Sequence, residues 1–296
     1  MLSLENSHLR AEPASQAENA PNVAPGGEFV DLAALVQPLT KCVRDIAATE
    51  LMPRFKRVAT ERKHDGSIVT EADRVVESVL QGALPRLHNC PVLGEEMDPA
   101  EQKQIWRDAP WFWCVDPLDG TANFAHGKHF FGISVALMHQ RRSVLGFVLD
   151  PNTNEAFHAI ENGGAFLDGR RLKPTPTRGL HDAVIEVGRF KKLGRVATAL
   201  KTHPPGKRIQ QSGASVLQWC HMACGRTDAF VHGGESPWDY AAGALILHEA
   251  GGRLASLQHD DYWRSHEVDG MWEQSVIAAR HPALFEEWKR WVRSHL

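Results

Sequence analysis

The stretch WFWCVDPLDG, residues 111–120, runs apolar for five positions and then sets Asp116 and Asp119 around a proline and a leucine. A short apolar run closed by Pro and Gly reads as a buried strand. Two carboxylates at the end of such a strand repel each other and resist leaving water, unless a cation lies between them. A chain built around this strand needs further oxygen ligands from elsewhere to bring such a cation in.

Acidic residues recur at three other junctions: Asp65 in KHDGS, Glu95 and Glu96 in GEEM, and Asp239 in WDYAAG. Junctions between strands and helices are where loops commonly assemble sites. Hard oxygen donors without neighbouring Cys or His pairs favour Mg2+ or Mn2+ over zinc. The Leu118 carbonyl, between the two aspartates, is a further oxygen ligand. Each cluster also has a plain structural account. Asp239 complements a helix dipole, Asp73 caps a helix, Glu95 and Glu96 form a solvated pair, and Asp119-Gly120 is an ordinary turn. Four separate accounts are less economical than one shared metal site.

DGTAN adds a second ingredient. If Gly120 lets the backbone approach closely and a helix starts at Thr121, free N–H groups converge on one spot, which suits a phosphate. Metal beside phosphate implies phosphoryl transfer to water, with Thr121 orienting the water and Asp65 accepting its proton. No Ser/His/Asp nucleophile elbow or P-loop motif competes.

The chain of 296 residues is long enough for one large domain or two. A formal net charge of −3 offers no electrostatic case for nucleic acid or an anionic membrane as partner. No apolar run approaches membrane-spanning length and residues 1–21 lack an apolar signal core, so the reading is a soluble, cytoplasmic protein. Five cysteines form no paired framework, and CHMAC, residues 220–224, reads as a buried helix face before a zinc site.

Residues 1–27 read as a disordered tail. A helix follows with Leu39, Val43, Ile46, Ala47 and Leu51 on one face, and a second, capped by Thr70 with Asp73 at N3, turns Ala72, Val75, Val76, Val79, Leu80 and Ala83 inward. FFGISVALMH, SVLGFVLD and EAFHAI predict an antiparallel meander. AVIEVG and DAFVH read as strands flanking the helix SVLQWCHMACG. SPWDYAAGALILHEAGG carries a cap at Ser236, Pro237 at N1 and Gly251 as the stop. A last amphipathic helix spans about 282–295. The pattern is α+β to α/β, with subdomains at 28–175 and 176–296 and a boundary near 170–182, the second contributing Asp239.

GEEM, WCVDPLDGTANF and PWDYAAGALILHEAGG resemble, in order and spacing, the signatures of the inositol monophosphatase family of Mg2+-dependent, lithium-sensitive phosphatases, over about residues 30–290. The resemblance implies a layered α-β-α-β-α sandwich, two or three Mg2+ ions and a homodimer. It implies Glu95, Asp116, Asp119, Asp239 and the Leu118 carbonyl as metal ligands, and Gly120 and Thr121 as a phosphate cradle. Asp65 holds a further metal or, with Thr121, the water, and Glu95 helps position that water. Asp119, Gly120, Thr121, Ala214, His232 and Asp239 fall at substrate-contacting positions. SIVT places Ser67 where inositol-type members often have Asp, and His232 stands where they carry a sugar-binding Glu, with Glu235 nearby. The implied reaction is hydrolysis of a small phosphorylated polyol such as inositol monophosphate. Histidinol phosphate and a 3′,5′-bisphosphate nucleotide are alternatives, the latter through Arg189, Lys191 and Lys192, and a non-catalytic binding relative is a further one.

Overall fold

A computed structural model describes residues 30–63, 66–174, 176, 178–262 and 273–296. The expected N-terminal tail and Asp65 therefore lie outside the described residues. Asp31–Leu296 forms one compact unit.

The first helix, α1 (Leu32–Ile46), is capped by the Asp31 side chain and continues through a π turn to Leu51. It buries the expected Leu39, Val43, Ile46, Ala47 and Leu51. A small hairpin, β1 (Thr60–Arg62) and β2 (Ile68–Thr70), leads into α2 (Glu71–Ala83). On α2 the buried line is Ala72, Val76 and Leu80, joined by Asp73 and Glu77. The expected inward Val79 is exposed instead. The buried arc is turned toward 73 and 77, where Asp73 meets Thr70 and Thr121 and Glu77 accepts from Glu96 N.

Next come β3 (Val92–Gly94), α3 (Pro99–Asp108), β4 (Trp111–Asp119), the single-turn α4 (Thr121–Ala125), and then β5 (Gly132–His139), β6 (Arg142–Asp150), β7 (Glu155–Ile160), β8 (Gly164–Leu167) and β9 (Arg170–Arg171). They form a seven-stranded sheet in the order β3-β4-β5-β6-β7-β8-β9. It is antiparallel from β4 onward, the expected meander, with β3 added in parallel. After residues 172–183 the chain builds β10 (Val184–Gly188), α5 (Gly194–Thr202), β11 (Arg208–Gln210), α6 (Ser215–Ala223), β12 (Ala229–Glu235), α7 (Pro237–Glu249), β13 (Arg253–Ala255), β14 (Gln274–Ala279) and α8 (Pro282–Arg293). The second sheet runs β11-β10-β12-β14-β13.

Five layers result. Helices α1 and α2 cover the outer face of the large sheet, α6 and α7 lie between the sheets, and α8 covers the outer face of the second. Strand alternation explains the middle layer. Phe112, Cys114, Ala136, Met138, Val148 and Phe157 point inward and share a core with Trp219, Tyr240, Leu245 and Phe230. A second core joins Val196 and Leu200 of α5 to Ile185, Val231, Ile277 and Trp288. Helix α7 is apolar all round, as a helix sandwiched between sheets must be. No helix among the described residues is long and apolar enough to cross a membrane.

Candidate active site

The sheet register explains the Asp-Pro-Leu-Asp spacing. Asp116 pairs with Ser134 and Asp119 with Gly132, so three steps on β4 oppose two on β5. In an unbroken strand, residues three apart face opposite sides; the bulge adds one residue and returns Asp119 to the side of Asp116. Asp239, from the first turn of α7, completes the group, and oxygens of the three carboxylates lie within 4.8 Å of one another. Each carboxylate is also anchored. Asp116 Oδ1 accepts from Leu118 N at 3.0 Å, Asp119 Oδ2 from Val216 N at 2.7 Å, and Asp239 Oδ2 from Ser236 N at 2.8 Å.

These groups open onto a cavity of about 460 Å³, which is also lined by Glu95, Leu118, Gly120, Thr121, Ala214 and His232. All candidate site residues within the described residues thus meet in one place. Glu95 shares the cavity but is not part of the tight trio. Its Oε1 pairs with Lys63 Nζ at 2.8 Å, and the same ammonium reaches Glu96 Oε1 at 2.6 Å. Burial works against the Lys63 charge, but the two carboxylates outweigh it and hold its pKa above the usual lysine value.

Thr121 meets an unexpected partner. Its hydroxyl lies 2.8 Å from Asp73 Oδ1 and 3.0 Å from the Leu118 carbonyl, and its single proton serves one of the two at a time. Among the described residues the carboxylate beside Thr121 is that of Asp73, whereas Asp65, expected there, lies outside them. Asp73 is also the cap its sequence position suggests: Oδ2 accepts from Thr70 N at 2.8 Å and from Thr70 Oγ1 at 2.6 Å. The capping pattern concealed this second contact, because Oδ1 is free to reach across to α4 once Oδ2 is engaged. Gly120 precedes Thr121 at φ +86°, and a Cβ there would lie 3.0 Å from the Ala214 side chain and the Phe130 carbonyl. The close turn therefore needs glycine. The first amides of α4 have no intrahelical acceptor.

Glu235 is fully buried, accepts from Trp219 Nε1 at 3.2 Å and does not line the cavity, whereas His232 does. CHMAC lies on α6 with Cys220 buried, and all five cysteines are free.

Burial first, and then repulsion from neighbouring carboxylates, push Asp116 and Asp119 well above the usual carboxylate range and Asp239 up to about 7. A divalent cation removes that repulsion and favours the ionised forms. The donor set, three facing carboxylates with Glu95 and a backbone carbonyl at hand, is all hard oxygen and fits such an ion.

The layers and this cavity define a five-layer α/β protein built around a cation-type carboxylate centre. The chain belongs to the inositol monophosphatase family, whose model matches residues 31–295. It is 33% identical over 251 residues to the Nus factor SuhB of Pseudomonas aeruginosa, covering 82% of this chain and 89% of that protein. It is 35% identical over 226 residues to an inositol-1-monophosphatase of Rhizobium meliloti, covering 74% and 82%. Its fold is similar to that of an IMPase from Thermotoga maritima, with a TM-score of 0.73 at 27% identity over 88% of this chain and 96% of that one.

Proposed function

We propose that this chain is a Mg2+-dependent phosphomonoesterase that hydrolyses a small phosphorylated polyol, with inositol monophosphate the reference substrate. The observation that carries this reading is the convergence of Asp116, Asp119 and Asp239 in one cavity with Thr121, whose hydroxyl is held from behind by Asp73. The R. meliloti relative's name points to the same substrate.

Asp116, Asp119, Asp239, Glu95 and the Leu118 carbonyl would hold the ions. When bound, they supply positive charge for the phosphoryl oxygens and the leaving alkoxide and make water a better nucleophile. The amides at the start of α4 bind the phosphate and fix it beside Thr121. Asp73, tied by Thr70, keeps the Thr121 hydroxyl aimed so that its lone pair accepts a hydrogen bond from the attacking water. Burial holds the Asp73 carboxyl above its ordinary value, which suits a proton acceptor. As the water oxygen bonds to phosphorus, its proton passes to Thr121 Oγ1 and the threonine proton to Asp73 Oδ1. The ester P–O bond breaks, and the leaving oxygen takes a proton from solvent water to depart as the alcohol, while Asp73 returns its proton to solvent, so that one proton is taken up and one released. Inorganic phosphate is the second product.

The P. aeruginosa relative is named a Nus factor, which sets a binding role beside catalysis. The complete carboxylate set in this chain favours turnover, because binding alone does not need it. The test is phosphate release with Mg2+ from inositol 1-phosphate, histidinol phosphate, fructose 1,6-bisphosphate and adenosine 3′,5′-bisphosphate, with Asp119→Asn as the control. Release from at least one ester, lost in the variant, is expected; no Mg2+-dependent release from any of them would overturn the reading.

A further inference from the structure

Glu95 reaches the cavity from residues 95–98, the turn between β3 and α3. A turn has no ladder of its own, so the direction of a side chain carried on it depends on what else fixes its peptide planes. In this turn one peptide unit is held at both ends. Its N–H, from Glu96, donates to Glu77 Oε2 at 2.8 Å, and its carbonyl, from Glu95, accepts from Gln102 Nε2 at 3.1 Å. In a trans peptide these two groups point in opposite directions, so the two side chains grip it from opposite sides. Gln102 Nε2 also donates to the Gly94 carbonyl at 2.6 Å. An amide NH2 has two protons, so both bonds form together.

Two helices deliver these side chains. Glu77 lies one turn after Asp73 on α2, so both carboxyls leave the same face of the helix. Gln102 is the fourth residue of α3, which Asp98 and Pro99 start directly after the turn. Side chains on a helix tilt toward its N-terminus, and this returns the Gln102 amide to Gly94 and Glu95. Both side chains are buried, Glu77 at 4% and Gln102 at 5% exposure. A Cβ on Gly94 would fall 2.4 Å from the Glu77 carboxyl carbon, so only glycine lets that carboxyl lie against the end of β3. Burying two polar groups costs free energy unless their hydrogen bonds are made, and an apolar pair fills the same space at less cost. What the polar pair adds is a fixed peptide plane beside Glu95.

We infer that Glu77 and Gln102 are positioning residues for Glu95, fixing the 95–96 peptide so that the Glu95 carboxylate is presented to an ion held by Asp116, Asp119 and Asp239. The inference rests on the reading of Glu95 as a metal ligand. A ligand carried on an unfixed turn has to be ordered when the ion binds, and that ordering weakens binding. A turn held in place beforehand removes the cost. Neither Glu77 nor Gln102 lines the cavity. Their loss therefore acts on the affinity for the ion and not on the bond-breaking step.

The test reads Mg2+ binding itself by isothermal titration calorimetry, beside the melting temperature and phosphate release. Glu77→Met and Gln102→Met keep the bulk of each side chain and remove its hydrogen bonds to the turn. Each is expected to raise the Kd for Mg2+ by about 10- to 100-fold, with phosphate release at saturating Mg2+ largely kept. Glu77→Gln keeps a carbonyl acceptor for Glu96 N and restores most of the affinity. Glu77→Asp and Gln102→Asn, each one methylene shorter, replace a methionine variant that does not fold. Glu95→Gln supplies the control: with no carboxylate to aim, adding Glu77→Met to it leaves the Kd where Glu95→Gln alone puts it. A lowered melting temperature with a native Kd, or an equal loss of affinity in the Glu95→Gln background, assigns the two residues to packing and overturns the inference. Binding that Glu95→Gln leaves unchanged removes Glu95 from the ligands and overturns it as well. Phosphate release with Mg2+ keeps the phosphatase reading standing in each of these cases, and absence of both binding and release in the native chain overturns both.

Discussion

At the scale of single residues, two aspartates hold two positions at once. Asp73 and Asp239 each stand third in a helix, and each closes a capping box with the residue that opens it. Such a box engages one carboxylate oxygen. The other is left to Thr121 in one case and to the carboxylate trio in the other. A cap and a site residue are therefore compatible, and the rigid cap fixes where the second oxygen points. In the mechanism proposed above, the Thr121 hydroxyl links Asp73 to the water, and Thr121→Ala removes it. We expect kcat to fall by about 10²- to 10³-fold with KM little changed, and Thr121→Ser to restore most of it. Steady-state kinetics on inositol 1-phosphate or the best ester found checks this. Equal loss in the serine variant would show that the methyl packing, and not the hydroxyl, matters.

At the scale of elements, a buried carboxylate behind the cavity organises its floor. Glu186 on β10 accepts from Gln210 Nε2, from Ser212 Oγ at 2.8 Å, from Ser212 N at 3.3 Å and from Gln218 Nε2 at 2.7 Å. These bonds tie β11, the loop 211–214 and α6 to one side chain. The same loop end delivers Val216 N to Asp119 and packs Ala214 against Gly120. Glu186→Ala strands several buried donors, and the expected cost is about 3 kcal/mol in urea unfolding. Because Gln211, Gly213 and Ala214 line the cavity, KM is expected to rise as well. An unchanged urea midpoint would show that water replaces the carboxylate at little cost. Gly120→Ala acts on the neighbouring turn, where φ +86° and contacts at 3.0 Å leave no room for a methyl group. Activity is expected to drop with it even if the fold survives, and phosphate release beside the melting temperature separates the two effects.

For the whole molecule, the acidic cavity is a fold-wide liability that a cation relieves. Glu77, chiefly through burial, and Glu96, through burial and the Glu95 charge, are pushed up to about 7, as is Asp239. A carboxyl with a raised folded-state pKa binds more protons when folded, so its stabilising share is complete below the unfolded value near pH 4 and is lost as pH rises through about 7. Metal-free protein is expected to lose stability across that window. On the proposed reading Mg2+ binds the ionised Asp239 with Asp116 and Asp119, so its protection grows with pH over the same range. At a concentration of about 100 times Kd the ion adds about 2.7 kcal/mol, which for a chain of this size raises the melting temperature by about 4 °C. Thermal melts from pH 4.5 to 8, with EDTA or with Mg2+, check both signs. A Mg2+ shift that does not depend on pH would sever the link to these carboxylates.

Local signals in the sequence determined much of the fold: the apolar run of β4, the meander after it, the caps at Thr70 and Ser236, and the glycine stops at 225 and 251. They also marked Asp116, Asp119 and Asp239, because acidic residues at the edges of buried elements are conspicuous one by one. Tertiary structure alone decided how these pieces meet. The bulge that turns Asp119 to the side of Asp116 depends on the register against β5. The Thr121–Asp73 contact spans 48 residues, and the fully buried place of Glu235 depends on α6 and α7 packing between the sheets. The reason is physical. Helix, strand and cap preferences act over a few neighbouring residues, whereas the identity of the groups that face one another across a cavity is set by contacts between segments far apart in the chain.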